Sequence, residues 1–181
     1  NGYDMRTDAG VSGRYDWKNG VMDFDVAYLG IHSKDYIKAR SFNAVDASFG
    51  IASKSAKTFL YDVDLDYRFT ADRGRHRVDE QFLSLDAELG PQFKSSHKVL
   101  FDMGFDMVTY SNASDWGCAR MNFTPHYVYS EGRWNLDLGL KIDFLVAPDD
   151  GSGTSPADRQ QVFYPDVHVE FTAIRNAMNL Y

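Results

Sequence analysis

The sequence predicts an all-β fold: an antiparallel up-and-down transmembrane β-barrel, of which about nine strands are visible. Three observations carry this. Apolar and polar residues alternate strictly with a period of two from end to end of the chain, which places them on opposite faces of a strand. Several alternating runs are longer than the 5–6 residues usual in globular sheets and near the 9–11 that a tilted strand needs to cross a bilayer. Aromatic residues gather near the ends of the apolar runs: Tyr15 and Trp17, Phe59 and Tyr61, Tyr67 and Phe69, Tyr127 and Tyr129, Trp134, and Phe163. An interfacial girdle would place them there.

Each strand follows from its parity. In the first, Ala9, Val11, Tyr15 and Trp17 oppose Asp8, Ser12, Arg14 and Asp16. In the second, Met22, Phe24, Val26 and Tyr28 oppose Asp23, Asp25 and Ala27. The third sets Val45, Ala47, Phe49 and Ile51 against Asp46 and Ser48. The fourth sets Phe59, Tyr61, Val63, Leu65, Tyr67 and Phe69 against Leu60, Asp62, Asp64, Asp66 and Arg68. A helix would mix these two classes on neighbouring faces. Leu83, Leu85, Ala87 and Leu89 oppose Ser84, Asp86 and Glu88, and Phe101, Met103, Phe105 and Met107 oppose Asp102, Gly104 and Asp106. Met121, Phe123, Tyr127 and Tyr129 oppose Asn122, Thr124 and His126, with Pro125 interrupting the apolar set. The clearest run, residues 134–144, has Trp134, Leu136, Leu138, Leu140, Ile142 and Phe144 on one face and Asn135, Asp137, Gly139, Lys141 and Asp143 on the other. Phe163, Val167, Val169 and Phe171 oppose Asp166, His168 and Glu170.

The connections alternate as well. Lys18, Asn19 and Gly20 form one tight hairpin turn, and residues 130–133 form another, with glycine expected at positive φ in each. Residues 53–57 and 90–97 are fairly short links. Longer polar connections are expected at residues 32–40, 71–77, 111–119 and 147–160. Short turns on one side and long loops on the other suit the two sides of an outer-membrane barrel. No domain boundary is visible, so residues 1–181 read as a single barrel segment. A chain opening at Asn1 without a leader, ending on Asn179, Leu180 and Tyr181 as if another element began there, reads as an internal fragment of a larger barrel. An odd count of strands agrees, because bacterial single-chain barrels have even numbers.

Composition excludes other classes. No stretch approaches the roughly 20 apolar residues of a spanning helix. With 13 Phe, 11 Tyr and 3 Trp, the chain is too aromatic for a solvated tail. Asp and Glu outnumber Lys and Arg by 26 to 19, the wrong balance for tracking phosphates, so no nucleic-acid partner is expected. Cys118 is the only cysteine, which excludes intrachain disulfides and cysteine-based zinc clusters.

The polar faces supply the candidate site. Asp62, Asp64, Asp66, Asp102, Asp106, Asp137, Asp143, His126, Asp166, His168 and Glu170 are expected to line a hydrated lumen, with no catalytic, cofactor or metal role. Alternate strand positions lie about 6.5–7 Å apart along a line, so the three aspartates at 62, 64 and 66 do not converge as a calcium loop does. His126, His168, Asp166 and Glu170 are the best ingredients for metal binding or acid–base work, yet no HExxH-like signature supports them. Ser111, Ser114 and Asp115 show no nucleophile elbow, so no enzyme is expected. Asp149, Asp150, Gly151 and Gly153 read as ordinary loop chemistry. Arg73, Arg75, His76 and Arg77 form a basic run that could meet lipopolysaccharide phosphates, though a solvated loop is the plainer reading.

The segments NFTPHYVYSEGRWNLDLGLK (residues 122–141) and YPDVHVEF (residues 164–171) resemble the barrel of Bacteroidota outer-membrane proteins of the TonB-dependent-receptor-like group. The likeness is clearest in the C-terminal third and is one of pattern earlier. It implies a larger barrel, with a plug domain and the TonB system as partners, although no plug or TonB box is present in the chain. The expectation is therefore an outer-membrane barrel acting in solute transport or as a porin-like channel or surface receptor. Its partners would be outer-membrane lipid and lipopolysaccharide, with no cofactor. A soluble glycan-binding β-sandwich and a barrel enzyme acting on lipid are the alternatives.

Overall fold

The computed structural model describes residues 2–34, 39–54, 59–74, 77–93, 96–112, 116–146, 159–174 and 178–180. They form one antiparallel sheet of ten strands in sequence order, each hydrogen-bonded to the next. The strands are β1 (Tyr3–Asp16), β2 (Gly20–Lys34), β3 (Ala39–Ser53), β4 (Phe59–Arg73), β5 (Arg77–Phe93), β6 (His97–Ser111), β7 (Trp116–Glu131), β8 (Trp134–Val146), β9 (Arg159–Ile174) and β10 (Met178–Leu180). The sheet is all-β and up-and-down, and it is open, with β1 and β10 as its edges. The element expected from residue 179 onward is the short β10, paired to β9. Ten strands also remove the support drawn from an odd count.

Register fixes the two faces. Leu65 stands opposite Phe49 on β3 and Leu85 on β5, and Leu85 in turn opposite Phe105. Met121 and Phe144 continue that row on β7 and β8. The parity reading therefore holds across strands as well as within them. Of the exposed large hydrophobic residues, all but Ile31, Leu145, Val162 and Tyr164 stand on this one face. No large side chain is fully buried among the described residues; the buried ones are small or few, such as Ala44, Ala71 and Leu100. One layer of strands can bury nothing large between its own faces. A sandwich would require a second sheet packed on the first, and the described strands provide only one.

The apolar face is a band with ends. Past Tyr28, Val45, Phe69 and Leu83 it turns polar, with Ser41, Asn43, Arg73, Asp79 and Gln81 taking over, and the Tyr28 hydroxyl donates to Asn43 Oδ1 at 2.9 Å on the border. At the opposite end lie stacked Tyr15 and Trp17, His97 against Tyr127 and Tyr129, and Trp134 against Phe171 with ring centroids 4.7 Å apart. The eleven-residue apolar run 59–69 is about 36 Å long at about 3.3 Å per residue.

Three expectations need correction. The connections at residues 35–38, 74–76 and 112–115 are short, because the strands run on through most of the polar residues read as loop. Only residues 147–158 make a long link, so turns and loops do not alternate in length as expected. Polar composition misled here because a strand beyond the apolar band alternates between two polar faces. Gly132 has the expected positive φ of 65°, but Gly20 does not. Gly20 is needed for room instead: a Cβ there would come within 2.3 Å of the Trp17 ring and 2.7 Å of the Tyr61 hydroxyl.

Candidate functional site on the acidic face

All eleven residues predicted from parity stand together on the face opposite the apolar band: Asp62, Asp64 and Asp66 from β4, Asp102 and Asp106 from β6, His126 from β7, Asp137 and Asp143 from β8, and Asp166, His168 and Glu170 from β9. Register adds members that parity alone did not single out. Asp64 faces Asp86, Asp62 faces Glu88, and Glu88 faces Asp102 on the next strand. Asp23 on β2 joins this row across Gly50. Like charges directly opposite on neighbouring strands destabilise a sheet, so this arrangement costs stability unless water or cations screen it. The signal for Asp23, Asp86 and Glu88 was present in their alternation; what the sequence withheld was which carboxylates would meet.

Glycines make the crowding possible. A Cβ at Gly50 would lie 2.9 Å from Asp64 Oδ1 and 3.1 Å from Asp23 Oδ1, so both carboxylates lean over the bare backbone between them. Gly104 gives the same room to Asn122. The result is a shallow depression of about 250 Å³ lined by Asp62, Asp64, Asp86, Glu88, Asp102 and Asn122. A second, of about 420 Å³, includes Asp25, Asp46, Asp66, Arg68, Phe82 and Ser84. Here Arg68 pairs with Asp46, and the Ser84 hydroxyl donates to Asp106 Oδ1 at 2.7 Å.

The histidines separate. His126 lies against Gly139 of β8, where a Cβ would come within 2.9 Å of its own. Its side chain is only 11% exposed. Nδ1 is 2.9 Å from Asp137 Oδ1, and Nε2 faces Asp102 Oδ1 at 3.3 Å. His168 stands opposite Asp137 from the other side of β8, so the two histidines flank that strand and do not converge on each other. Asp143 accepts from the Tyr164 hydroxyl at 2.7 Å and lies 3.8 Å from Arg120. Asp166 and Glu170 sit on the exposed β9, opposite Gly139 and Asn135.

Beyond the apolar band, ion pairs clip the strand ends. Arg40 donates to Asp72 at 2.8 Å, and Arg73 pairs with Asp79. These guanidiniums, by direct hydrogen bonding, hold the Asp72 and Asp79 carboxyls below the usual carboxylate range. Arg73 is thus engaged by a carboxylate, while Arg75 and His76 of the basic run lie outside the described residues. So do Ser114, Asp115, Asp149, Asp150, Gly151 and Gly153. No protein-family model, curated protein or solved structure matches the chain.

Proposed function

We propose that this chain is a segment of an outer-membrane β-barrel that passes solutes or serves as a surface receptor, its apolar face turned to lipid and its acidic face to a hydrated lumen. One observation carries the reading: a single-layer antiparallel sheet presents nearly all its exposed large hydrophobic residues on one face, with no second layer among the described residues to cover them. Nine long strands at about 4.8 Å spacing, with apolar runs about 25 Å tall at the roughly 40° tilt of a barrel, make an apolar surface on the order of 1,000 Å², well above the 300–600 Å² patches of water-soluble monomers. Lipid is a medium that such a surface fits, and a closed sheet is the form in which strands satisfy their backbone within it. The polar residues past Tyr28 and Leu83 and the aromatic rim at the other end fit the two interfaces of a bilayer. The resemblance of residues 122–141 and 164–171 to Bacteroidota receptor-like barrels agrees with this reading, and on it the TonB system and lipopolysaccharide are partners to test.

The experiment is fractionation of the full-length protein. It should sediment with outer membranes and stay monodisperse only in detergent or lipid. A monodisperse, β-rich protein in plain buffer would overturn the proposal and return the face to a soluble partner.

A further inference from the structure

We infer that Glu88, Asp102 and His126 form a binding site for one divalent transition-metal ion of the zinc type on the acidic face, with Asp137 as the group that orients the histidine. This goes beyond the proposed barrel function, since the site is complete on strands β5 to β8 whether or not the sheet closes.

The donor atoms of Glu88, Asp102 and His126 all lie within 4.8 Å of one another, and all three residues are part-buried. One imidazole and two carboxylates make a donor set that suits zinc and its neighbours. The closest pair is already at ligand spacing. Bonds of about 2.0–2.1 Å in a tetrahedral shell put two ligands about 3.3 Å apart, and His126 Nε2 stands 3.3 Å from Asp102 Oδ1.

The electronic arrangement asks for a cation between them. With Nδ1 giving its proton to Asp137 Oδ1, Nε2 is left with a lone pair 3.3 Å from a carboxylate oxygen. Both atoms are shut off from solvent, and neither makes a hydrogen bond. A proton on Nε2 would turn the contact into a histidine–carboxylate ion pair, so a metal ion competes with that proton for the same two atoms. A metal ion would take both lone pairs at once. The carboxylate behind the histidine is the usual outer partner of a metal-bound imidazole, fixing its tautomer and raising its basicity. Glu88 supplies a third donor from the next strand, and water would complete the shell.

The surroundings separate this site from the acidic belt in general. Asp64 and Asp86 face each other with no imidazole near, and they repel alike in any cation atmosphere. His126 instead packs against Gly139, and the buried Thr124, 5% exposed, stands opposite Asp102.

The test is calorimetric titration of the metal-stripped full-length protein with zinc in millimolar magnesium and calcium. One equivalent is expected. His126→Gln and Asp102→Asn should each weaken it at least 100-fold, and Asp137→Asn, which removes no ligand, by about 10–100-fold. Asp64→Asn, within the belt but outside the site, should change it less than threefold. Asp137→Asn is the deciding variant should a ligand replacement fail to fold. The inference is overturned by no binding, by several weak equivalents displaced by magnesium or calcium, or by an Asp64→Asn loss equal to that of Asp137→Asn.

Discussion

At the scale of single residues, the meaning of each side chain depends on parity, and Leu65 and Asp66 are the sharpest pair. They are consecutive in β4, near the middle of the apolar run from Phe59 to Phe69, yet they stand on opposite faces. If the apolar face meets lipid, Leu65→Arg places a charge near the bilayer midplane and should cost about 2–4 kcal/mol. Asp66→Arg faces water and neighbouring strands that carry carboxylates, and should cost close to nothing. Urea-dependent folding into lipid vesicles measures both; equal costs would mean that lipid does not distinguish the faces. This division is legible in the sequence, because period-two alternation depends only on the pleat. The company each residue keeps is not. Asp62, Asp64 and Asp66 are legible as one polar line, but their meeting with Asp86 and Glu88 is set by the β4–β5 register, which no run of residues within one strand encodes.

At the scale of elements, the strands were legible and the connections largely were not. Residues 32–34, 39–40, 71–73 and 77 read as polar loop, yet they belong to β2, β3, β4 and β5 beyond the apolar band, where neither face needs to be hydrophobic. Pairing there is held by backbone bonds and clips such as Arg40 to Asp72. Prolines mark where the ladders yield. Between β5 and β6 the register skips Gly90 and Pro91, and between β7 and β8 it skips Thr124 and Pro125, since proline has no N–H to give. Gly90 sits at the first gap, where a Cβ would overlap the Val99 carbonyl oxygen at 1.9 Å. Gly90→Ala must therefore push β5 and β6 apart, with an expected loss of about 3 kcal/mol. Gly132, in the β7–β8 turn, differs in kind: its Cβ would meet nothing within 4 Å, and only its φ of 65° resists substitution. Gly132→Ala should cost about 1 kcal/mol. Equilibrium unfolding of the two variants tests the ranking, and the reverse order would contradict the close β5–β6 approach.

At the scale of the whole molecule, the sorted faces make an electrostatic claim on the proposed lumen. The belt gathers Asp23, Asp25, Asp62, Asp64, Asp66, Asp86, Glu88, Asp102 and Asp106 on adjoining strands, while Arg68 is spent on Asp46 and Arg120 lies toward Asp143. The excess of carboxylate over base in the composition is thus concentrated on one face. Rings of carboxylates favour cations in channels, and their field reaches about a Debye length, roughly 10 Å at 0.1 M salt and 3 Å at 1 M. The full-length protein in a planar bilayer with a potassium chloride gradient should accordingly give a cation-selective reversal potential. Replacing Asp62, Asp64 and Asp66 together by Asn should move that potential toward zero, by more at 0.1 M than at 1 M salt. Anion selectivity, or a triple variant indistinguishable from the parent at low salt, would mean that the acidic face does not line the conducting path.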